Sequence, residues 1–86
     1  MDSIAFENAV KNSQTLNTKP SNEILLQLYS LYKQASEGDV IGERPGGFDF
    51  KGAAKFDAWT SQKGKSKDIA AQEYVNLVEK LIREQD

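Results

Sequence analysis

The side chains of this chain with chemistry to offer are cationic and aromatic. Tyr29, Tyr32 and Lys33 stand at i, i+3 and i+4, the spacing that puts side chains on one face of a helix. Lys51 and Lys55 follow four residues apart, with Phe56 and Trp59 close behind, and a third tyrosine, Tyr74, lies near the far end. Ammonium groups from Lys33, Lys51 and Lys55 could converge on a phosphate, with tyrosine hydroxyls adding hydrogen bonds and tyrosine faces offered to a purine. Leu25 and Leu26, beside the tyrosines, extend an apolar strip that could receive a hydrocarbon tail. The plainer account also fits: tyrosines at the edge of a core with wet hydroxyls, Lys33 lying over them, and Phe56 and Trp59 simply buried.

Catalytic chemistry lacks its parts. The chain has no histidine and no cysteine, which removes the commonest general base, the thiolate nucleophile and the usual transition-metal ligands. Asp49 reads as a helix cap and Asp57 as a solvated acid on a polar face, so neither has the burial or charged neighbour that tunes a catalytic carboxylate. Asp39, Glu43 and Asp49 lack the spacing of a calcium loop. The glycine-rich run through Gly46 and Gly47 lacks the lysine-serine ending of a phosphate loop, and no strand precedes it. The expectation is a binding protein, not an enzyme, with no metal and no cofactor.

Four helices position these groups. Phe6, Ala9, Val10, Ser13 and Leu16 give a narrow stripe over residues 3–16, capped by Asp2 or Ser3. Pro20 ends the turn that follows. Ser21 or Asn22 then caps a second helix running to about Glu37, with Gly38 as its C-terminal glycine. On it Ile24, Leu28, Leu31 and Ala35 form a tight core stripe. Leu25, Leu26, Tyr29, Tyr32 and Lys33 lie beside that stripe, and Ser30, Gln27 and Gln34 occupy what remains. The apolar arc is wider than a surface helix needs. Asp49 caps a third helix over roughly residues 50–62, where Gly52 costs about 1 kcal/mol against alanine and so points to close approach by a backbone or a ligand. Gly64 closes it. Ser66 caps the fourth helix, whose apolar arc runs through Ala70, Ala71, Tyr74, Val75, Leu77, Val78, Leu81 and Ile82. A buried Tyr74 would need a partner for its hydroxyl. No segment alternates with the period of a strand.

A chain of 86 residues has room for one domain with one modest core. The net charge of −2 hides an asymmetry: residues 44–68 carry six basic side chains against three acidic, while the flanking stretches are acidic. Positive charge confined to one stretch suits a small anion, whereas nucleic acid would ask for a basic balance overall. No apolar run approaches the roughly 18 residues of a membrane span, and the N-terminal stretch lacks the basic-then-apolar layout of a signal peptide. A cytoplasmic monomer without stable membrane insertion is expected. The glycine-rich connection from Gly38 to Asp49 is long for a compact domain, and such loops are either functional or disordered.

Taken together, these residues match a known family. Gly38-Asp39, Arg44-Pro45-Gly46, Asp49, Gly52, Lys55, Phe56 and Trp59 resemble the signature of acyl-CoA-binding proteins. Thr18-Lys19-Pro20, Tyr29-Ser30-x-Tyr32-Lys33-Gln34-Ala35 and Tyr74 match the same family in order and spacing. The resemblance spans essentially residues 1–86. It implies a four-helix bundle of up-down-down-up topology, with the glycine-rich segment as the long crossover between the second and third helices. It also implies an intracellular carrier and buffer for medium- to long-chain acyl-CoA thioesters. By the same resemblance, Lys33, Lys55 and the Tyr29 hydroxyl would hold the ribose 3′-phosphate, and Tyr32 would stack on adenine. Tyr74 and Lys51 would contribute around the nucleotide, and Val10, Leu25 and Leu26 would neighbour the acyl chain. Three positions depart from the pattern. Gln14 stands where many relatives carry a lysine that contacts the phosphates, Phe56 replaces a frequent tryptophan, and Gly46-Gly47 loosens the crossover. The other reading of the wide apolar arc is a small helical module that binds a partner helix without regard to CoA.

Overall fold

Short polar side chains set where the helices begin. In a computed structural model that describes residues 3–85, the Ser21 hydroxyl accepts the Ile24 N–H at 3.2 Å, Asp49 accepts the Gly52 N–H at 2.9 Å, and Ser66 accepts the Ile69 N–H at 3.1 Å. Each satisfies a backbone donor that the first helical turn leaves unpaired. The resulting helices are α1 (Ser3–Ser13), α2 (Asn22–Glu37), α3 (Phe50–Thr60) and α4 (Lys67–Glu84), with no strand among the described residues. Of the two caps expected for α1, Asp2 lies outside the described residues and Ser3 is already helical.

Two helices end earlier than their apolar periodicity predicts. The Ser13 and Thr15 hydroxyls donate back to the carbonyls of Val10 and Asn12, and the Gln14 and Thr15 amides bond three residues back. Such local bonds compete with helix continuation, so Leu16 leaves α1 and sits beside Leu81 at the far end of α4. In α3 the Thr60 hydroxyl bonds the Phe56 carbonyl, and tight turns follow until Gly64, which adopts a positive φ of 92°.

Contacts between elements fix the directions of the helices. Phe6 near the start of α1 stacks on Tyr32 in the second half of α2, so these two helices run antiparallel. The Trp59 indole N–H at the end of α3 donates to the Gly38 carbonyl just past the end of α2 at 2.9 Å. Lys55, a turn earlier, lies over Tyr29, so α2 and α3 are parallel. Gln34 near the end of α2 bonds the Lys65 carbonyl just before α4, which makes that pair antiparallel. The up-down-down-up order follows. Parallel neighbours need a connection that travels back the length of a helix: residues 38–49 reach up to about 40 Å when extended, against about 24 Å for the length of α2.

Core residues come chiefly from the central pair, α2 and α4. Leu28, Leu31, Ala70, Tyr74, Val75 and Val78 are buried together with Ala9 of α1. Helix α1 packs on α4, and α3 packs on α2. The molecule is accordingly flat, with extents of 39 × 28 × 15 Å.

The glycine-rich crossover is ordered by polar bonds. Arg44 forms a two-pronged pair with Asp57 at 2.8 and 3.0 Å, so Asp57, expected to be a solvated acid, ties the crossover to α3. Asp39 accepts the Gln34 side-chain amide and the Gly64 N–H, each at 2.8 Å. The Gly64 amide first, and the Gln34 amide second, hold the Asp39 carboxyl below the usual aspartate range. Ile41, Phe48 and Phe50 remain exposed along this segment, the two phenylalanines in edge contact with each other.

Two sequence expectations are corrected. Ser30 and Gln34 are almost completely buried, although hydrophobic spacing leaves them on the outer face of α2. The end of α3 and the turn into α4 cover that face: Gln62 donates to the Ser30 hydroxyl, and Gln34 donates to Asp39 and to the Lys65 carbonyl. At Gly52, the space a Cβ would fill belongs to the carboxylate of the cap itself, that of Asp49. The glycine accommodates its own cap.

Two outcomes follow for stability in urea. Gly52→Ala gives none of the roughly 1 kcal/mol that helix propensity promises, because the new methyl displaces the cap. In an Asp49→Ala background, the same change stabilises by about that amount. An equal gain in both backgrounds would remove Asp49 from the account. For Asp39, a carboxyl with a lowered folded-state pKa contributes stability that is present above the usual aspartate range and is lost as pH falls through the lowered value. Asp39→Asn should therefore be less stable at neutral pH and show a shallower decline in stability below about pH 4.

Candidate ligand-binding site

The surface between α1, α2 and α3 carries three adjoining hollows. The one between α2 and α3 has a volume of about 400 Å³ and is lined by Asn22, Leu25, Leu26, Tyr29, Lys51, Ala54 and Lys55. Along α2 these fall at i, i+3, i+4 and i+7, and along α3 at i, i+3 and i+4, so helical spacing alone aligns them. The second hollow, about 350 Å³, lies between α1, α2 and α4 and is lined by Val10, Ser13, Gln14, Leu25, Leu28, Tyr29, Tyr32 and Tyr74. Leu25 and Tyr29 belong to both and form the ridge that separates them. A third, of about 300 Å³, continues from Val10 and Tyr32 along Phe6, Glu7, Lys11 and Ser36.

Rings hold the gap between α1 and α2. Phe6 stacks on Tyr32 with centroids 5.9 Å apart and meets Tyr74 edge-on at 5.3 Å, while Tyr32 and Tyr74 are tilted at 6.3 Å. Tyr74 is buried, and its hydroxyl finds the partner its position requires, Ser13 Oγ at 3.1 Å. Burial pushes that phenol above its ordinary pKa, partly opposed by the Ser13 bond. Tyr32 is 40% exposed, so its ring is at once a wall of the second hollow and partly open to solvent.

Cations flank the ridge unequally. Lys55 Nζ lies 5.2 Å from the Tyr29 ring centroid, a cation–π contact that holds the ammonium at the edge of the larger hollow. Lys51, one turn earlier, lines the same wall. Lys33 behaves differently. Its ammonium is paired with Glu37 Oε2 and sits 5.0 Å from the Trp59 ring centroid. The Glu37 hydrogen bond is the main cause of a Lys33 pKa above the ordinary lysine value.

The structure thus brings together Gln14, Tyr29, Tyr32, Lys51, Lys55, Tyr74, Val10, Leu25 and Leu26 around two hollows that share a ridge. Lys33 is the expected site residue that lines neither; Glu37 and Trp59 draw it to the next turn of α2. Val10 and Leu26, expected together along an acyl chain, lie on opposite sides of the Leu25–Tyr29 ridge. Phe6, Ser13, Asn22 and Ala54 are additions that sequence reasoning did not single out. Asn22 and Ala54 carried a signal in their spacing from Leu25 and Lys51. The roles of Phe6 and Ser13 depend on how α1 crosses Tyr32 and Tyr74, which no local pattern encodes. Among the described residues no helix is long and apolar enough to cross a membrane.

Such a surface offers flat rings, fixed ammonium groups and an adjoining leucine-lined wall, a combination suited to an amphiphilic anion. Comparison with known proteins agrees in sequence and in fold. The family profile described as acyl CoA binding protein matches residues 3–78. The chain is 49% identical over 79 residues to acyl-CoA-binding protein homolog 1 of Caenorhabditis elegans, covering 92% of each chain. It is also 49% identical over 82 residues to the acyl-CoA-binding protein of Saccharomyces cerevisiae, covering 95% of this chain and 94% of the relative. The crystal structure of acyl-CoA-binding protein 2 from Oryza sativa superposes with a TM-score of 0.91 at 43% identity, covering 95% of this chain and 91% of that one. On sequence and fold together, this chain belongs to the acyl-CoA-binding protein family.

Proposed function

We propose that this chain binds medium- to long-chain acyl-CoA thioesters as a cytoplasmic, monomeric carrier and buffer. The observation that carries the reading is the shared ridge. Tyr29 and Leu25 separate a hollow with Lys51 and Lys55 on its wall from one bounded by Tyr32 and Tyr74. A ligand lying across the ridge has both cationic and aromatic partners for a nucleotide and a leucine wall for a hydrocarbon.

In this reading Lys55 and the Tyr29 hydroxyl hold the ribose 3′-phosphate, with Lys33 joining them when the ligand is bound. Tyr32 offers its exposed ring to adenine, and Tyr74, Lys51 and Gln14 border the rest of the CoA. Gln14 can hydrogen-bond a phosphate but brings no charge, so the phosphate end relies on the lysines of α2 and α3. Leu25, Leu26 and Val10 meet the acyl chain, each buried methylene contributing up to about 0.8 kcal/mol. The site's lysines, tyrosines and aliphatic side chains supply binding and shielding. They include no nucleophile paired with a base, so the bound thioester stays intact.

Isothermal calorimetry with palmitoyl-CoA, palmitate and free CoA tests this. Palmitoyl-CoA should bind far more tightly than either half of the molecule, and the thioester should be recovered unhydrolysed. Equal affinity for all three, or binding indifferent to the CoA phosphates, would favour a docking groove for a partner helix instead. Lys55→Ala should weaken palmitoyl-CoA binding by about 1.5–3 kcal/mol, the range for a hydrogen bond to a charged group.

A further inference from the structure

Glu37 occupies a position that folding does not favour. It is the last residue of α2, where a carboxylate adds to the negative end of the helix dipole, and no basic residue stands in that final turn to offset it. Its partner Lys33 lies four residues toward the N-terminus, the less favourable order for such a pair. Both side chains reach solvent, with 25% of Lys33 and 53% of Glu37 exposed, and exposed pairs of this kind add little to stability. A residue that breaks two local rules without a compensating gain in the fold invites a functional account.

What Glu37 does is set the position of one ammonium. Lys33 is one helical turn beyond Tyr29, whose ring faces Lys55, and directly follows Tyr32 on α2. Lys33 therefore stands at the border of the ridge, with its ammonium paired to the Glu37 carboxylate and held over the Trp59 ring. We propose that Glu37 competes with the ligand's phosphate for Lys33, taking the ammonium back as the ligand leaves and so speeding release. The inference rests on the reading that a CoA phosphate seats near Tyr29 and Lys55. An intramolecular anion at this place is an affinity governor: it weakens the hold on the phosphate and leaves the contacts to the hydrocarbon untouched. Affinity differences of this kind show mainly in the dissociation rate.

The test is stopped-flow dissociation at low ionic strength of palmitoyl-CoA and of its 3′-dephospho analogue, using wild type, Glu37→Gln, Lys33→Ala and the double variant. Glu37→Gln should slow palmitoyl-CoA release by about two- to fivefold, the range set by an exposed ion pair. It should leave release of the dephospho analogue unchanged and have no effect in the Lys33→Ala background. Its urea midpoint should be at or above that of wild type, since a carboxylate is removed from a helix C-terminus. Equal slowing of both ligands, an effect that survives Lys33→Ala, or no slowing at all would overturn the competition. If wild type fails to bind palmitoyl-CoA, the binding reading falls and this inference with it. If wild type binds and ignores Glu37→Gln, only the inference falls.

Discussion

The architecture depends on one buried amide. Gln34, with no exposed surface, reaches from the last turns of α2 to Asp39 at the start of the crossover and to the Lys65 carbonyl at the end of the α3–α4 turn. Asp39 in turn accepts the Gly64 N–H. These bonds join three chain segments that are distant in sequence and fix where α3 stops and α4 starts. The Trp59 indole, bonded to the Gly38 carbonyl, closes the same junction from the α3 side. Because α3 is located relative to α2 at this end, Lys51 and Lys55 arrive opposite Leu26 and Tyr29 at the other. The donor side of the Gln34 amide satisfies a carboxylate and a backbone carbonyl at once.

Much of this was legible in the chain. Ser21, Asp49 and Ser66 announced the starts of α2, α3 and α4, Gly38 the end of α2, and the stripe through Leu28 and Leu31 the face that meets α4. What periodicity cannot show is a polar residue buried by a tertiary neighbour. Ser30 and Gln34 look like outer-face residues because the pattern counts apolar side chains only, and the turn that covers them is formed elsewhere in the sequence. Gly52 shows the reverse error, a glycine credited to an approaching partner when its own N-cap occupies the space. Helical spacing put Leu25, Leu26 and Tyr29 on one face of α2 and Lys51 and Lys55 on one face of α3, but only the fold sets those faces around one hollow. Spacing could not tell which way the Lys33 side chain turns, because Trp59, which holds it there together with Glu37, comes from another helix.

Both halves of the site are built from residues that the fold itself uses. Tyr74 is at once part of the core and a wall of a hollow, and Leu25 and Tyr29 line two hollows while holding them apart. The geometry of the candidate surface is thus set by the same packing that sets the bundle, with the crossover supplying position through Arg44 and Asp57 and none of the lining side chains.

The gap between α1 and α2 has a consequence for how the molecule breathes. Helix α1 rests on α4, and its contact with α2 runs through rings, chiefly Phe6 on Tyr32. An element with one supporting neighbour opens locally at lower free energy than one clamped on two sides, so amide exchange in α1 should outpace that in α2 and α4. On the proposed binding, a cargo that fills the hollows along Val10 and Tyr32 would act as the missing second neighbour. By linkage, whatever binds only the closed form stabilises it in proportion to the logarithm of its concentration. Loading and rigidity would then be one equilibrium, with the empty protein the more pliable.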